Sequence, residues 1–453
     1  MTTKRSSFTG KIGFVLAAAG SAVGLGNIWR FPYLAAKYGG GIFLLVYIAL
    51  SVTFGFSLMV AEIAIGRKTQ QSAIGAFKAL DKRFSFVGLL GSIVPIIILP
   101  YYSVIGGWVI KYMVGFLSGQ TSAMAEDSYF GNYIGSVGEP LVWFLVFMAV
   151  TAVIVLFGVE KGIEKVSKIM MPVLIILILF VAIYTICTVD GAIDGVIYYL
   201  KPDFSKFSLM TVVAAMGQLF YSMSLAMGIM ITYGSYMKRD VNIETSTEQI
   251  EVFDTGVAFL AGLMIIPAVF AFSGGDPAAL GQGPGLMFVT LPKVFDVMPG
   301  GSIIGAVFFL MVLLAALTSS ISLMETIVSI FHDKFKLDRK LCCLIVLGIC
   351  LALGIPSSLG YSLWSEVKIM GMQFLDFFDF VSNSVIMPIV ALLTCIFVGF
   401  ILKPKAIIEE VQMEDEKFRL KSMFSVVIRF VAPVCILAIL ISSVLSAFGI
   451  INI

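Results

Sequence analysis

The stretch GSAVGLGNIWRFPY, Gly20 to Tyr33, places three glycines, an amide and an arginine in the middle of apolar sequence. Gly20, Gly24 and Gly26 let a backbone leave helical geometry at low steric cost. A helix interrupted there exposes carbonyl oxygens suited to a hard cation such as sodium, and the half-helix that resumes offers N–H groups and positive dipole character to a carboxylate. Asn27 adds a neutral oxygen. Further along, ALTSS supplies Thr318, Ser319 and Ser320, whose hydroxyls can complete a cation shell without a fixed charge. Glycines in membrane helices also serve close packing, and Ser/Thr clusters also bond their own backbone. A second interruption at FYSMSLAMG, Phe220 to Gly228, weighs toward the ligand reading for the first stretch.

Six charged residues fall inside apolar segments: Arg30, Glu62, Asp254, Glu325, Asp376 and Asp379. Charges at such depth mark functional sites by default. Arg30 lies one turn outward of the first interruption, and Asp376 and Asp379 begin a later apolar segment on the same side. An ion-pair gate fits this, as does an arginine snorkelling to the interface. His332 is the sole histidine, which excludes a His-based metal site, a triad or an HExxH protease, and no GxxxxGK[ST] occurs. Cys187, Cys342, Cys343, Cys350, Cys395 and Cys435 sit in apolar segments without CxxC spacing and imply no disulfide framework.

The elements that must hold these residues are membrane spans. The 453 residues are 59% hydrophobic and 13% charged, with a mean hydropathy of +1.03. Apolar runs of about 20 residues, enough to cross ~30 Å of hydrocarbon, recur throughout. Helices are predicted near 11–37, 41–67, 87–117, 141–158, 166–188, 208–237, 253–273, 302–332, 341–355, 372–401 and 423–449. The fold class is therefore an all-α membrane protein of eleven transmembrane helices in a single domain, 1–453. The basic N-terminus lacks a small-residue cleavage site, so the first helix is expected to be retained. Twenty-two of the 30 basic residues lie in segments 4–11, 67–83, 161–168, 238–239, 334–340 and 403–421, which puts those segments and the N-terminus in the cytoplasm and the C-terminus outside. Interruptions in the first and sixth spans, five helices apart, predict a five-plus-five inverted repeat, about 11–188 and 208–401, with an extra helix at 423–449. That pattern points to a secondary transporter with its site at the breaks.

The motifs GSAVGLGNIWRFPY, GGGIFLLVYI, EIAIGR, GQLFYSMSLAMG, TYGSY and LTSSISLMET resemble the neurotransmitter:sodium symporter family across nearly the whole chain. The eleven-helix length is similar to the bacterial amino-acid transporters of that family, which have the leucine-transporter type of fold. The resemblance implies two sodium ions. The first would use the Ala22 carbonyl, Asn27, Ser222, Asp254 and the substrate carboxylate; the second would use carbonyls of Gly20, Val23 and Ala315 with Thr318 and Ser319. Asp254 stands where many members have Asn, and a fixed carboxylate there implies chloride independence. Helix 7 is anchored for this match by FLAGLMIIP, and a shift by one turn would exchange Asp254 for Ala258.

By the same resemblance, the substrate's amine and carboxylate would lie against Ala22, Leu25, Gly26, Tyr102 and the Phe220 and Ser224 carbonyls. Its side chain would lie among Ile98, Tyr221, Ser224, Met227, Ser319 and Leu323. Gly24 replaces the aspartate of biogenic-amine carriers, which implies an α-amino acid, hydrophobic or aromatic. Arg5 and Asp333 with Tyr236 would form an inner gate, with Phe8 in place of the usual Trp, and Arg30 with Asp379 an outer one. Glu62 would hold N–H groups of the unwound first helix. The expectation is a non-enzymatic sodium-coupled importer in a bacterial inner membrane, with an amino acid and lipid as partners and no nucleic acid. Alternatives are a carrier of another small zwitterion or a non-transporting amino-acid receptor of the same fold.

Overall fold

The computed structural model describes residues 6–276, 283–413 and 416–447. Helices α1 (Lys11–Ala22) and α2 (Gly26–Lys37) form one span bent by 56°. The next four spans, α3 (Gly41–Thr69), α4 (Lys82–Leu117), α5 (Gly138–Leu156) and α6 (Val159–Thr188), are uninterrupted. A second broken span consists of α7 (Leu209–Ser222) and α8 (Ile229–Ser235). The bundle is completed by α9 (Ile243–Phe272), α10 (Gly301–Phe335), α11 (Arg339–Leu359), α12 (Phe374–Ile401) and α13 (Lys421–Ser446). Among the described residues nine helices are long and apolar enough to cross a membrane, α1 and α2 together make a tenth span, and the shorter α7 with α8 stands where the eleventh is expected.

Two boundaries differ from expectation for a local reason. Helix α9 starts at Ile243 rather than 253, because Asn242 caps it by accepting the Thr245 N–H at 2.9 Å. Its polar first turns are also buried, with Glu244 accepting the backbone N–H groups of Arg419 and Leu420 at 3.0 and 3.1 Å. Helix α6 starts at Val159 rather than 166, directly after Gly158 with φ +85.

Each break has its own backbone solution. After Ala22 the chain turns extended at Val23 (φ −72, ψ 104). Helix α7 opens with a reciprocal cap between Ser208 and Thr211, and beyond its end Ser224, Ala226 and Gly228 take φ of +54, +60 and +72. A left-handed residue other than glycine costs of order 1–3 kcal/mol, so Ser224 and Ala226 persist only because their surroundings hold them.

Lipid offers no hydrophobic drive for one helix to pack on another, so close backbone approach matters most. Helices α3 and α8 meet through reciprocal glycines. A Cβ on Gly66 would collide with the Ile231 carbonyl, and one on Gly234 would sit 2.9 Å from Ile63 Cα. Helices α4 and α10 share an aromatic seam in which Tyr112 and Phe116 meet Phe309 at ring centroids 5.2 and 5.5 Å. The outward faces of α5, α6 and α13 expose large apolar residues such as Val150, Ile176, Ile183 and Val434, as a lipid-facing surface requires.

At the basic-rich end of α3 a buried arginine ties three segments together. Arg67 Nε donates to Glu410 Oε1 at 2.9 Å, Nη1 to the Val241 carbonyl at 2.8 Å, and Nη2 to the Glu410 carbonyl. Both side chains are at most 5% exposed. Removing one partner of a buried pair typically costs about 3–5 kcal/mol, whereas replacing both by apolar residues is near neutral. Arg67→Met should therefore lower the thermal midpoint of the detergent-solubilised protein, and adding Glu410→Leu should recover most of the loss; an unchanged midpoint in the single variant contradicts this role.

Candidate substrate and sodium site

The two breaks face one another at mid-bundle. Ser224 Oγ donates to the Ser21 carbonyl at 3.0 Å, and Ser21 Oγ to Ser224 Oγ at 3.1 Å. Beside them the α1 carbonyls of Gly20, Ser21 and Val23 stand 3.5, 3.1 and 3.2 Å from Ser319 Oγ on α10. One hydroxyl proton satisfies one carbonyl, so the cradle holds more acceptor capacity than the protein supplies donors for. Thr318 Oγ1 lies 3.0 Å from the Ala315 carbonyl within α10. Ser319 thus joins the Gly20 and Val23 carbonyls, and the Thr318 side chain, bonded to the Ala315 carbonyl, packs beside Gly20, where a Cβ would stand 3.1 Å from Thr318 Cβ. The simpler expectation for ALTSS holds as well: Thr318 and Ser320 bond carbonyls of their own helix while Ser319 reaches across.

On the other side of the first break lies a carboxylate. Asn27 Oδ1 accepts the Gly24 N–H at 3.0 Å, and its Nδ2 donates to Asp254 Oδ1 at 2.7 Å. Asp254 Oδ2 accepts from Ser222 Oγ at 2.9 Å and Tyr47 hydroxyl at 3.3 Å. Asn27 and Asp254 are fully buried, and Ala22 and Ser222 nearly so. These contacts put Asp254, not Ala258, beside Asn27. All partners of the Asp254 carboxylate are neutral, and among the described residues no basic side chain pairs with it. A buried carboxylate in that setting calls for a cation.

The glycines work differently from the sequence expectation. Gly20, Gly24 and Gly26 all have negative φ. Their requirement is space: a Cβ on Gly24 would stand 2.8 Å from Ser319 Oγ and 3.1 Å from the Tyr102 hydroxyl, and one on Gly26 would stand 2.6 Å from the Tyr221 ring. The left-handed geometry falls on Ser224 and Ala226 in the other break.

A central pocket of about 40 Å³ opens between the breaks. It is lined by the expected Ala22, Leu25, Gly26, Ile98, Tyr102, Tyr221, Ser224, Met227, Ser319 and Leu323, and among the described residues no charged side chain lines it. The Leu25 N–H points to the Tyr102 hydroxyl at 3.4 Å. Phe220 is an exception. Expected there through its carbonyl, it instead lines a larger vestibule of about 320 Å³ shared with Arg30. Tyr47, Ser21, Ile229 and Asn383 belong to the site and carry no sequence signal that singles them out.

The outer gate pair is apart. Arg30 lies with its guanidinium carbon 5.2 Å above the Tyr221 ring, and Asp379 accepts from Tyr101 hydroxyl at 3.0 Å and Asn383 Nδ2 at 2.7 Å. Arg30 and Asp379 line the same vestibule without forming the expected ion pair, since each is engaged by neutral neighbours.

At the opposite end the segment before α1 is packed against α8. The Phe8 N–H donates to the Tyr236 carbonyl at 3.1 Å, and its buried ring meets Phe14, Tyr233 and Tyr236 edge-on. Lys11 donates to Thr245 at 2.8 Å and Lys238 to the Thr9 carbonyl at 2.7 Å. Tyr236 hydroxyl donates to Glu325 at 2.8 Å, which Arg339 also grips. Asp333 accepts the Ser72 N–H at 2.8 Å; its expected partner Arg5 lies outside the described residues.

Glu62 corrects one expectation. Its Oε1 accepts the Ala226 N–H at 2.7 Å, so it supports the α7–α8 break rather than the unwound part of the first span. The left-handed turn at Ala226 directs that N–H toward α3.

Two discontinuous helices crossing at mid-depth, with an uncompensated carboxylate and an oxygen cradle at the crossing, define a secondary transporter of inverted-repeat architecture. A profile of the Sodium:neurotransmitter symporter family matches residues 5–128 and 128–450, and the chain belongs to that family. It is 36% identical to YhdH of Bacillus subtilis, described as an uncharacterized sodium-dependent transporter, over 96% of this chain and 97% of that one. It is 35% identical to an uncharacterized sodium-dependent transporter of Haemophilus influenzae, over 98% and 100%. It also superposes on the crystal structure of MhsT in complex with L-phenylalanine, with a TM-score of 0.86 and 38% identity over 97% of this chain and 100% of that one. The protein is a multi-pass, sodium-dependent symporter and not an enzyme.

A vestibule open on Arg30's side predicts reagent access from that side. Ser384 lines it, and Cys187 is the exposed native thiol. Ser384→Cys in a Cys187→Ser background should react with a membrane-impermeant thiol reagent added outside, and sodium with substrate should slow the reaction several-fold. Labelling only from the opposite face contradicts this orientation.

Proposed function

We propose that the protein imports a hydrophobic or aromatic L-amino acid with two sodium ions by alternating access, independently of chloride. The observation that carries this reading is the fully buried Asp254 carboxylate, held by Asn27, Ser222 and Tyr47 without a counter-charge among the described residues. The first sodium would bind the Ala22 carbonyl, Asn27, Ser222, Asp254 and the substrate's own carboxylate. The second would bind the carbonyls of Gly20, Val23 and Ala315 with Thr318 and Ser319, tying α1 to α10.

The chemistry of the pocket supports this substrate class. Its walls at Ile98, Tyr221, Met227 and Leu323 are apolar, and the lack of a charged lining favours a zwitterion that brings its own two charges. MhsT, bound to L-phenylalanine, supports the amino-acid reading. Coupling is then a shared ligand: sodium organises the breaks, the substrate carboxylate completes the first shell, and each raises the other's affinity by the same factor. Chloride independence follows because Asp254 already supplies a fixed negative charge beside the first sodium. The chain forms one transporter domain in a bacterial cell membrane, with the N-terminus inside, the C-terminus outside, and the extra helix α13 following the two repeats.

In proteoliposomes, an inward sodium gradient should drive accumulation of the amino acid, and replacing sodium by potassium should abolish it. Binding without accumulation would indicate a receptor, and accumulation of a different zwitterion would redirect the substrate reading. Asn27→Ala and Thr318→Ala should each raise the sodium concentration for half-maximal uptake by about tenfold, the loss of one ligand worth about 1.4 kcal/mol. Replacing chloride by gluconate should leave uptake unchanged; a collapse would refute the role given to Asp254.

A further inference from the structure

Asn383 on α12 stands in the wall between the two cavities and lines both the central pocket and the outer vestibule. The orientation of its amide follows from its neighbours. Asp379 Oδ1, 2.7 Å away, can only accept as a carboxylate, so the NH2 group faces it. The same nitrogen lies 2.9 Å from the Tyr101 hydroxyl oxygen, and the Tyr101 proton goes to Asp379 Oδ1 at 3.0 Å. Donor and acceptor are matched around this triad, and both amide protons of Asn383 are spent in it. The amide oxygen must then point elsewhere. It is buried and has no hydrogen-bond partner.

A buried acceptor left unpaired costs about 1–3 kcal/mol, which a donor arriving from the cavity would offset. Several other polar groups near the pocket already have protein partners. Ser224 and Ser319 reach the Ser21 carbonyl at 3.0 and 3.1 Å, and Tyr102 receives the Leu25 N–H. Arg30, the cation of the vestibule, is stacked on Tyr221. The remaining wall beside Asn383 is apolar, at Ile98, Met227 and Leu323.

We propose that Asn383 Oδ1 accepts a hydrogen bond from the far end of the bound side chain, so that the site selects aromatic amino acids bearing an N–H or O–H, tryptophan and tyrosine, over phenylalanine. This rests on the amino-acid reading above and narrows it. Apolar walls give every aromatic side chain a similar gain from burial, whereas one that lacks a donor leaves the oxygen dry and unpaired. Sites built around such a buried polar group reject the analogue that cannot satisfy it.

The test is sodium-dependent binding to the purified full-length protein, comparing tyrosine with phenylalanine and tryptophan with its sulfur isostere benzothienylalanine. The wild type should favour the donor-bearing member of each pair by about tenfold. In Asn383→Leu the ratios should fall toward one while phenylalanine still binds. Tyr101→Phe disturbs the same triad without touching the Asn383 oxygen, and it should change all four affinities alike and leave the ratios standing. Equal affinities within each pair in the wild type, or ratios that survive Asn383→Leu, overturn the proposal. Should none of the four bind in sodium, the amino-acid reading itself falls, an outcome distinct from binding with flat ratios.

Discussion

A peptide group released from its helix at the middle of a hydrocarbon slab must find a partner in protein or ligand, because water is not there to serve. That requirement governs the arrangement at both breaks. The carbonyls freed between Gly20 and Val23 converge on Ser319, and the N–H freed at Ala226 is taken up by Glu62 from α3. Each freed group thereby fastens a broken span to an unbroken one. The breaks are also fastened to each other through Ser21 and Ser224, so that displacement of one is felt by the other.

Asp254 adds charge to the same junction. Through Asn27 it touches the first break, through Ser222 the end of α7, and through Tyr47 helix α3. A cation that neutralises it would draw these four helices together at the point where the substrate carboxylate is proposed to sit. Around this junction the molecule is asymmetric. The end near Phe8 is packed by aromatic edges and lysine contacts, while Arg30 and Asp379 stand apart across a vestibule. The vestibule and the central pocket are separated by a wall to which Tyr221 and Asn383 both contribute.

Much of this was legible because the chemistry sits in residues that are costly in lipid. Glycines beside Asn27, the interruption at Phe220 to Gly228 and the lone Asp254 each stand out against apolar surroundings. What was not legible depends on neighbours distant in sequence. Nothing local predicts that Ser224 and Ala226 would turn left-handed while Gly20, Gly24 and Gly26 would not, since Glu62 and the Ser21 carbonyl hold the strained residues there. The polar run before Phe253 reads as a loop until Glu244 is seen to bind the backbone after Phe418. Asn383 is one amide in an apolar helix, and its unpaired oxygen becomes visible only with Tyr101 and Asp379 around it.

The central claim is that substrate and sodium share a ligand, the substrate's carboxylate, beside Asp254. The most direct measurement is the apparent sodium affinity of the purified protein in the presence of phenylalanine and, separately, of phenethylamine, which keeps the ring and the amine and lacks the carboxylate. Saturating phenylalanine should raise sodium affinity and phenethylamine should not. Equal enhancement by both would contradict it, because sodium would then be responding to the ring or the amine.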